Sequence, residues 1–314
     1  MDIAFIFPGQ GAQTPGYLSR LPDHPEVRAT LREASEILGV NTDELDTEIS
    51  LASTVGVQLT GLIAAVATFR ALAAEGVTPD AVAGLSSGAF SAAVACGTLL
   101  FEHALPLIKQ RAEWMQAAYP DGYGLAALVG LNEAQVLQLL EKIPATHPLY
   151  IANLNTPTQI VLAGSNAALD LAIEAARMAG ARQAHRMAVS VPSHCALMDS
   201  VALALQTSLA TLPLKRPTVP YIGNIRARAM LDAEGIRQDL ANNVAHTVRW
   251  HDAMTLLYER GVRTFFETPP GTTLTGIIRE SFPDARPRSL TDTPLDTIVY
   301  LAAKARSAAG DGNR

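Results

Sequence analysis

The sequence predicts an α/β fold, with a larger domain built on a parallel sheet and a smaller domain inserted into it. Short apolar runs, Ile3–Phe7 and one ending at Ala83, each lead into a glycine-containing turn, as buried parallel strands do. Over residues 124–190 the pattern becomes strand, helix, two strands, helix and strand, which is the ferredoxin-like order. The larger domain is therefore predicted over 1–123 and 191–306.

Further elements follow from apolar periodicity and from turn residues. In the larger domain the predicted elements are helices Pro22–Leu38, Val57–Glu75, Ala104–Ala118 and Met198–Leu212, strands Val219–Gly223 and Thr264–Glu267, and helical stretches within Asp239–Arg260. In the smaller domain they are strands Leu125–Gly130, Leu149–Asn153, Gln159–Ala163 and Ala184–Val191, and helices Asn132–Ile143 and Ala167–Gly180. Residues 307–314, which are small and polar, are predicted to be a frayed tail.

Composition excludes several classes of protein. Of the 314 residues 48% are hydrophobic and 17% charged, which is typical of a globular chain rather than a disordered one. The net charge of −6 does not suggest a nucleic-acid partner. Two cysteines, Cys96 and Cys195, form neither a disulfide framework nor a zinc-binding spacing, so we expect a reduced, cytoplasmic setting. We also expect no metal and no bound cofactor.

Two uncharged runs, Ser50–Phe69 and Ala81–Leu100, approach the length of a membrane span. Both are rich in Ala, Gly, Ser and Thr rather than Leu and Ile, so they are predicted to be buried core. The N-terminus lacks the basic start and the long apolar stretch of a signal peptide. No membrane association is expected.

The strongest chemical signal lies in Ala81–Ala93, where an apolar run turns through Gly84-Leu85-Ser86-Ser87-Gly88 into a helix of small residues. This is the nucleophile-elbow pattern, in which the central serine occupies a strained strand-to-helix turn. Such a turn exposes the hydroxyl of Ser86 and aims the N–H of Ser87 at the position of an oxyanion. An ordinary strand-to-helix turn has the same composition, so the pattern alone leaves both interpretations open.

A serine nucleophile needs a general base, and His194 is the best candidate among the seven histidines. It follows a predicted strand at the junction of the two predicted domains, where pockets tend to form. Asp199 and Asp252 are candidates to orient its imidazole, and a backbone carbonyl serves equally well. Arg111, on a predicted helix, is either a guanidinium fork for a carboxylate or a solvated arginine on the helix surface.

Six motifs occur together in one order and span about residues 3 to 280. They are Pro8-Gly9-Gln10-Gly11-Ala12-Gln13, Gly84-Leu85-Ser86-Ser87-Gly88, Arg111 with Met115-Gln116, Asn153-x-Asn155-x-Pro157-x-Gln159, Val191-Pro192-Ser193-His194-Cys195-Ala196-Leu197-Met198, and Pro270-Gly271-x-x-Leu274-Thr275-Gly276. This series resembles the malonyl-CoA:acyl-carrier-protein transacylases. The resemblance implies an α/β-hydrolase-like larger domain with a ferredoxin-like insertion, a CoA thioester as substrate, and malonyl-CoA and an acyl-carrier protein as partners.

The resemblance also implies a role for each of six residues: Ser86 as the acylated nucleophile, His194 as its base, Arg111 as the partner of the malonyl carboxylate, the backbone N–H groups of Gln10 and Ser87 as the oxyanion hole, and the carbonyl of Arg249 as the group that orients the histidine. The expected activity is a ping-pong transfer of malonyl from CoA to a carrier thiol.

Three positions depart from the usual family pattern: Leu85 replaces a histidine, Ser87 replaces an apolar residue, and Arg249 replaces a glutamine before Trp250. The elbow and the segment Tyr119–Gly124 look more like the malonyltransferase (epsilon) subunit of malonate decarboxylase, whose partners include the other decarboxylase subunits. That branch is our expectation. The alternatives are a transacylase of fatty-acid or polyketide synthesis, a serine thioesterase, and a non-catalytic scaffold.

Overall fold

The structure, a computed structural model that describes residues 1–311, contains two separate β-sheets. The strands are β1 Ile3–Phe7, β2 Ala81–Gly84, β3 Tyr123–Val129, β4 Leu149–Thr156, β5 Gln159–Ser165, β6 Gln183–Arg186, β7 Tyr221–Ile222, β8 Ala229–Met230, β9 Thr264–Glu267 and β10 Arg286–Ser289. The larger sheet has the order β10-β9-β1-β2-β7-β8, and all its pairs are parallel except β7 with β8. The predicted α/β class with a parallel sheet is confirmed.

The helices are α1 Pro25–Leu38, α2 Thr42–Leu45, α3 Glu48–Leu51, α4 Thr54–Ala74, α5 Gly88–Ala95, α6 Phe101–Ala118, α7 Glu133–Leu140, α8 Asn166–Met178, α9 Asp199–Ala210, α10 Ala233–Asn242, α11 Trp250–Glu259, α12 Thr273–Ser281 and α13 Leu295–Asp311, with 3₁₀ turns at Leu18–Arg20, Ala196–Met198 and Asn243–Ala245. Both faces of the larger sheet are covered by helices. One core packs α4, α5, α6 and α9 against one face of the sheet, and a second packs α11 and α12 against the other.

Helix α4 is long and apolar enough to span a membrane by length and composition. However, 72% of its most apolar window is buried inside the protein, against α1, α5 and α6. Its apolar residues cover the whole circumference of the helix, as expected for a helix enclosed by protein. It is therefore a central core helix, as the sequence predicts for Ser50–Phe69.

The smaller sheet is antiparallel throughout, with the order β4-β5-β3-β6. Helices α7 and α8 pack on one of its faces around a core of their own. The chain order strand-helix-strand-strand-helix-strand is the ferredoxin-like one. The opposite face of this sheet, with Leu125 and Val161, turns toward the larger domain.

The structure differs from the predicted elements in three places. Residues 307–311 are not a frayed tail but continue α13, because Ala-rich sequence favours helix; residues 312–314 lie outside the described residues. Strand β10 was not predicted, since its two arginines mask an edge strand that pairs only with β9. The strand expected over Ala184–Val191 ends at Arg186, and the chain then crosses back toward the larger domain.

Candidate active site

Ser86 lies between β2 and α5 with φ of 57°, in the left-handed region that a non-glycine residue rarely adopts. The glycines on either side make this turn sterically possible. A Cβ at Gly84 would overlap the backbone of Gly88, and a Cβ at Gly88 would overlap the carbonyl of Phe7. The strand and the helix can approach this closely only without those side chains, and the result is that the Ser86 hydroxyl projects from the turn.

His194 meets Ser86 across the domain junction, and its Nε2 lies 2.7 Å from the Ser86 Oγ. Its backbone also has a positive φ, of 67°. The 3₁₀ turn Asn243–Ala245 holds the residue twice, because the His194 N–H donates to the carbonyl of Val244 at 2.6 Å and Nδ1 lies 2.6 Å from the carbonyl of Asn243. His194 is therefore fixed both at its backbone N–H and at Nδ1, the ring nitrogen that points away from Ser86.

These contacts determine which nitrogen of His194 carries the proton. A carbonyl only accepts hydrogen bonds, so Nδ1 donates and the unprotonated Nε2 faces the serine hydroxyl. Burial, and after it the positive charge of Arg111, lower the pKa of His194 to about 4. The imidazole is thus neutral at physiological pH and ready to accept the proton of Ser86.

The prediction that the carbonyl of Arg249 orients His194 is wrong. That role in the structure belongs to the carbonyl of Asn243, six residues earlier, while the side chain of Arg249 pairs with Asp252 at 2.7 Å. Asp199 and Asp252, the two carboxylates considered from the sequence, are both exposed and neither bonds to the imidazole. The base is oriented by a backbone dipole alone, which supplies direction without a full negative charge.

The backbone N–H groups of Gln10 and Ser87 are the two predicted oxyanion donors. Within residues 1–311, neither donates a hydrogen bond to a protein acceptor. Gln10 lies in the loop after β1, which is the strand next to β2, so both groups lie at the carboxyl ends of neighbouring parallel strands. Ser87 also precedes the first turn of α5, where the helix dipole favours negative charge.

Arg111 is fully buried on α6, which excludes the solvated alternative considered from the sequence. Its Nη1 donates to Oε1 of Gln58 at 2.7 Å, while Nε and Nη2 have no acceptor within the described chain. Burial lowers the pKa of the guanidinium to about 10, so it keeps its charge at neutral pH. A buried cation with two free N–H donors on one side is suited to bind a carboxylate.

A cavity of about 190 Å³ lies over Ser86 and His194, between the two domains. On the side of the larger domain the cavity is lined by the loop of residues 8–12 and by α12. On the side of the smaller domain it is lined by Asn153 and Asn155 of β4. Arg111 is not itself part of the wall. It is joined to it by Gln58, whose Nε2 lies 3.4 Å from Oε1 of Gln10 and 3.6 Å from Sδ of Met115.

The wall formed by α12 is anchored by a buried carboxylate. Glu267, at the end of β9, is fully buried and accepts hydrogen bonds from the N–H groups of Leu274 and Thr275, in the first turn of α12. Burial nevertheless raises the pKa of Glu267 to about 7. Leu274 lines the cavity, so this carboxylate holds one side of the site in place.

The raised pKa of Glu267 predicts a pH-dependent contribution to stability. A carboxyl whose folded pKa lies above its unfolded value of about 4.5 favours folding below that value, and the advantage is lost as pH rises toward 7. Urea unfolding of the wild type and of Glu267→Gln should show free energies of unfolding whose difference changes by about 3 kcal/mol between pH 4.5 and 7.5. Parallel pH curves for the two proteins would show that Glu267 does not titrate as stated.

Two further residues of the site were missed from the sequence. Gln58 is a polar side chain within the apolar helix α4, and that contrast was a usable signal. Asn243 acts through its backbone carbonyl, which every residue type has, so the sequence held no signal for it. The structure brings Ser86, His194 and Gln10 around one cavity, with Arg111 behind it.

Together these features define a serine–histidine acyltransferase-type centre in a two-domain α/β protein. The chain matches the family model described as acyl transferase domain over residues 4–298. It is 36% identical over 284 residues to the malonyl CoA-acyl carrier protein transacylase of Escherichia coli (strain K12), covering 88% of this chain and 92% of that protein.

Solved structures agree with this relationship. The malonyl CoA-acyl carrier protein transacylase from Coxiella burnetii superposes with a TM-score of 0.92 at 35% identity, covering 97% of this chain and 98% of the other. A malonyl-transacylase solved in complex with its type II PKS acyl-carrier protein has a TM-score of 0.90 at 32% identity, covering 96% and 99%. The chain belongs to the malonyl-CoA:acyl-carrier-protein transacylase family and is an acyltransferase, which confirms the resemblance.

Proposed function

We propose that the protein transfers malonyl from malonyl-CoA to the thiol of an acyl-carrier protein through an ester on Ser86. One observation carries this proposal: the Ser86 Oγ lies 2.7 Å from the unprotonated Nε2 of His194, close to a buried guanidinium with free donors. The family relatives named as malonyl transacylases, one of them solved with its carrier protein, support the same substrates.

The first half-reaction follows from the geometry. As the Ser86 Oγ attacks the thioester carbonyl, Nε2 of His194 takes its proton, and the N–H groups of Gln10 and Ser87 receive the developing oxyanion. The carbon–sulfur bond then breaks, and the leaving sulfur of CoA takes the proton from Nε2 of His194. The products of this step are malonyl-Ser86 and free CoA.

The second half-reaction runs the same steps in reverse with a different thiol. The carrier thiol gives its proton to Nε2 and attacks the ester, and Ser86 regains the proton when it leaves. A carbonyl-oriented histidine suits this exchange between thiols, since the imidazolium is needed only briefly. Incubation with labelled malonyl-CoA should label the protein, and addition of holo carrier protein should move the label to the carrier; release as free malonate would instead indicate a thioesterase.

His194→Ala should slow acylation by malonyl-CoA by roughly a hundredfold, the usual effect of losing a positioned base. Quenched-flow measurement of acyl-enzyme formation gives this rate. The pH profile is the control: with a His194 pKa of about 4, wild-type acylation should decline only as pH falls toward 4, and the variant should lack that decline. Unchanged acylation kinetics in His194→Ala would remove the residue from the mechanism.

The malonate-decarboxylase branch is a narrower proposal. It depends on Leu85, Ser87 and the Tyr119–Gly124 segment, whereas the named relatives favour fatty-acid or polyketide synthesis. The two differ in the carrier. Side-by-side transfer to an ordinary holo acyl-carrier protein and to a malonate-decarboxylase carrier with its CoA-derived prosthetic group distinguishes them, and preference for the ordinary carrier contradicts the decarboxylase branch.

A further inference from the structure

Asn224, in the loop after β7, makes two side-chain hydrogen bonds to the nucleophile turn. Its Oδ1 accepts from the backbone N–H of Ser86 at 3.0 Å, and its Nδ2 donates to the carbonyl of Gly84 at 2.9 Å. The side chain therefore spans the turn from the last residue of β2 to the nucleophile itself. Asn224 is 3% exposed, so water does not replace these bonds readily.

Asn224 is itself held by a buried carboxylate. Its backbone N–H donates to both oxygens of Asp239 on α10, at 2.9 and 3.1 Å, and the N–H of Ile225 donates to one of them. The hydroxyl of Tyr221 donates to the same carboxylate at 2.8 Å. Asp239 is 2% exposed, so the network is enclosed and its geometry is rigid.

The backbone of Asn224 also reaches the segment that orients the histidine. Its carbonyl accepts from the N–H of Arg249 at 2.9 Å, at the end of the stretch that begins with Asn243, whose carbonyl holds Nδ1 of His194. Within that stretch, Val248 pairs with β4 of the smaller domain. One residue thus contacts the serine turn with its side chain and the histidine-orienting segment with its backbone.

We propose that Asn224 is a positioning residue that sets the distance between Ser86 and His194. The proposal rests on the acyl-transfer function argued above. Ser86 has a strained positive φ, and a strained turn persists only where its surroundings enforce it. Without the Asn224 side chain, the Ser86 N–H and the Gly84 carbonyl lose their buried partners, and the turn relaxes away from the 2.7 Å contact with His194.

The test is single-turnover acylation of Asn224→Ala at saturating acyl-CoA. We expect the acylation rate constant to fall about a hundredfold, the scale of a misplacement of about 1 Å, with the apparent KM for malonyl-CoA within about threefold of wild type. Asn242→Ala is the matched control, because Asn242 lies at the end of α10 and, within residues 1–311, its side chain bonds only to Gln206 and Gln238. It should acylate at the wild-type rate.

Asp239→Asn provides a second variant if Asn224→Ala does not fold. It keeps the shape of the side chain but weakens its hold on the N–H of Asn224, so an intermediate loss in rate constant is expected. Malonyl-CoA and acetyl-CoA are compared as donors. If Asn224 acts on the Ser86–His194 pair, Asn224→Ala slows acylation by both donors equally.

Two outcomes are kept apart. If the wild-type protein is acylated only by another donor, the proposed substrate is wrong. If folded Asn224→Ala has the wild-type rate constant, or loses only in KM, the positioning role is wrong.

Discussion

Replacing Ser86 by alanine is expected to abolish acylation of the protein and transfer to the carrier, lowering the rate by roughly ten-thousandfold or more. The substitution removes the hydroxyl that lies 2.7 Å from Nε2 of His194. Ser86 is partly buried and loses only one oxygen atom, so the fold should be retained. Intact-mass measurement after incubation with malonyl-CoA checks acylation, and thermal unfolding checks the fold.

Ser87→Ala is the control for that experiment. Ser87 is the next residue along the turn, and its role in the site lies in its backbone N–H, which alanine keeps. We expect this variant to be acylated at nearly the wild-type rate. If Ser86→Ala still gained a malonyl group while Ser87→Ala did not, the nucleophile would be Ser87 and the elbow would have been assigned one residue too early.

Arg111→Ala is expected to lower the ratio of malonyl to acetyl transfer by about a hundredfold or more. Malonyl-CoA carries a carboxylate that acetyl-CoA lacks, and a desolvated carboxylate without its charged partner costs about 2–5 kcal/mol. The guanidinium is fully buried with Nε and Nη2 free, so its loss affects only the donor that has an anion to place there. Competition between the two labelled donors measures the ratio.

Arg111→Lys should recover that ratio only in part, because a single ammonium cannot reproduce the planar two-bond fork. Gln58→Ala is a useful companion, since it removes the side chain that accepts a hydrogen bond from the guanidinium without removing the charge of Arg111. Equal loss of malonyl and acetyl transfer in Arg111→Ala would show that the arginine supports the fold rather than selecting the substrate.

The sequence was most informative where local sterics determine the structure. The strand Ile3–Phe7 was predicted with its observed bounds because five consecutive apolar residues fit only a strand buried on both faces. The serine turn was found because Gly84 and Gly88 are required by the close approach of their backbones. The order of strands and helices in the smaller domain was predicted because its apolar residues alternate between the spacing of a strand and the spacing of a helix.

The sequence failed where the structure depends on contacts between distant residues. The burial of Arg111 depends on Gln58, which is 53 positions away, and helix periodicity did not reveal it. The carbonyl of Asn243 orients His194 without any side-chain signal, so the resemblance pointed to Arg249 instead. Strand β10 escaped because an edge strand with alternating arginines forms through backbone pairing alone.

The central claim, a malonyl ester on Ser86 that is passed to a carrier thiol, is tested most directly by locating the acyl group. Protein incubated with malonyl-CoA, freed of excess donor and digested at low pH should carry one malonyl group on the peptide that contains Ser86. Addition of holo carrier protein before digestion should remove it and yield an equal amount of malonyl carrier. A malonyl group on another peptide, or transfer to the carrier from a protein that never becomes acylated, would contradict the account.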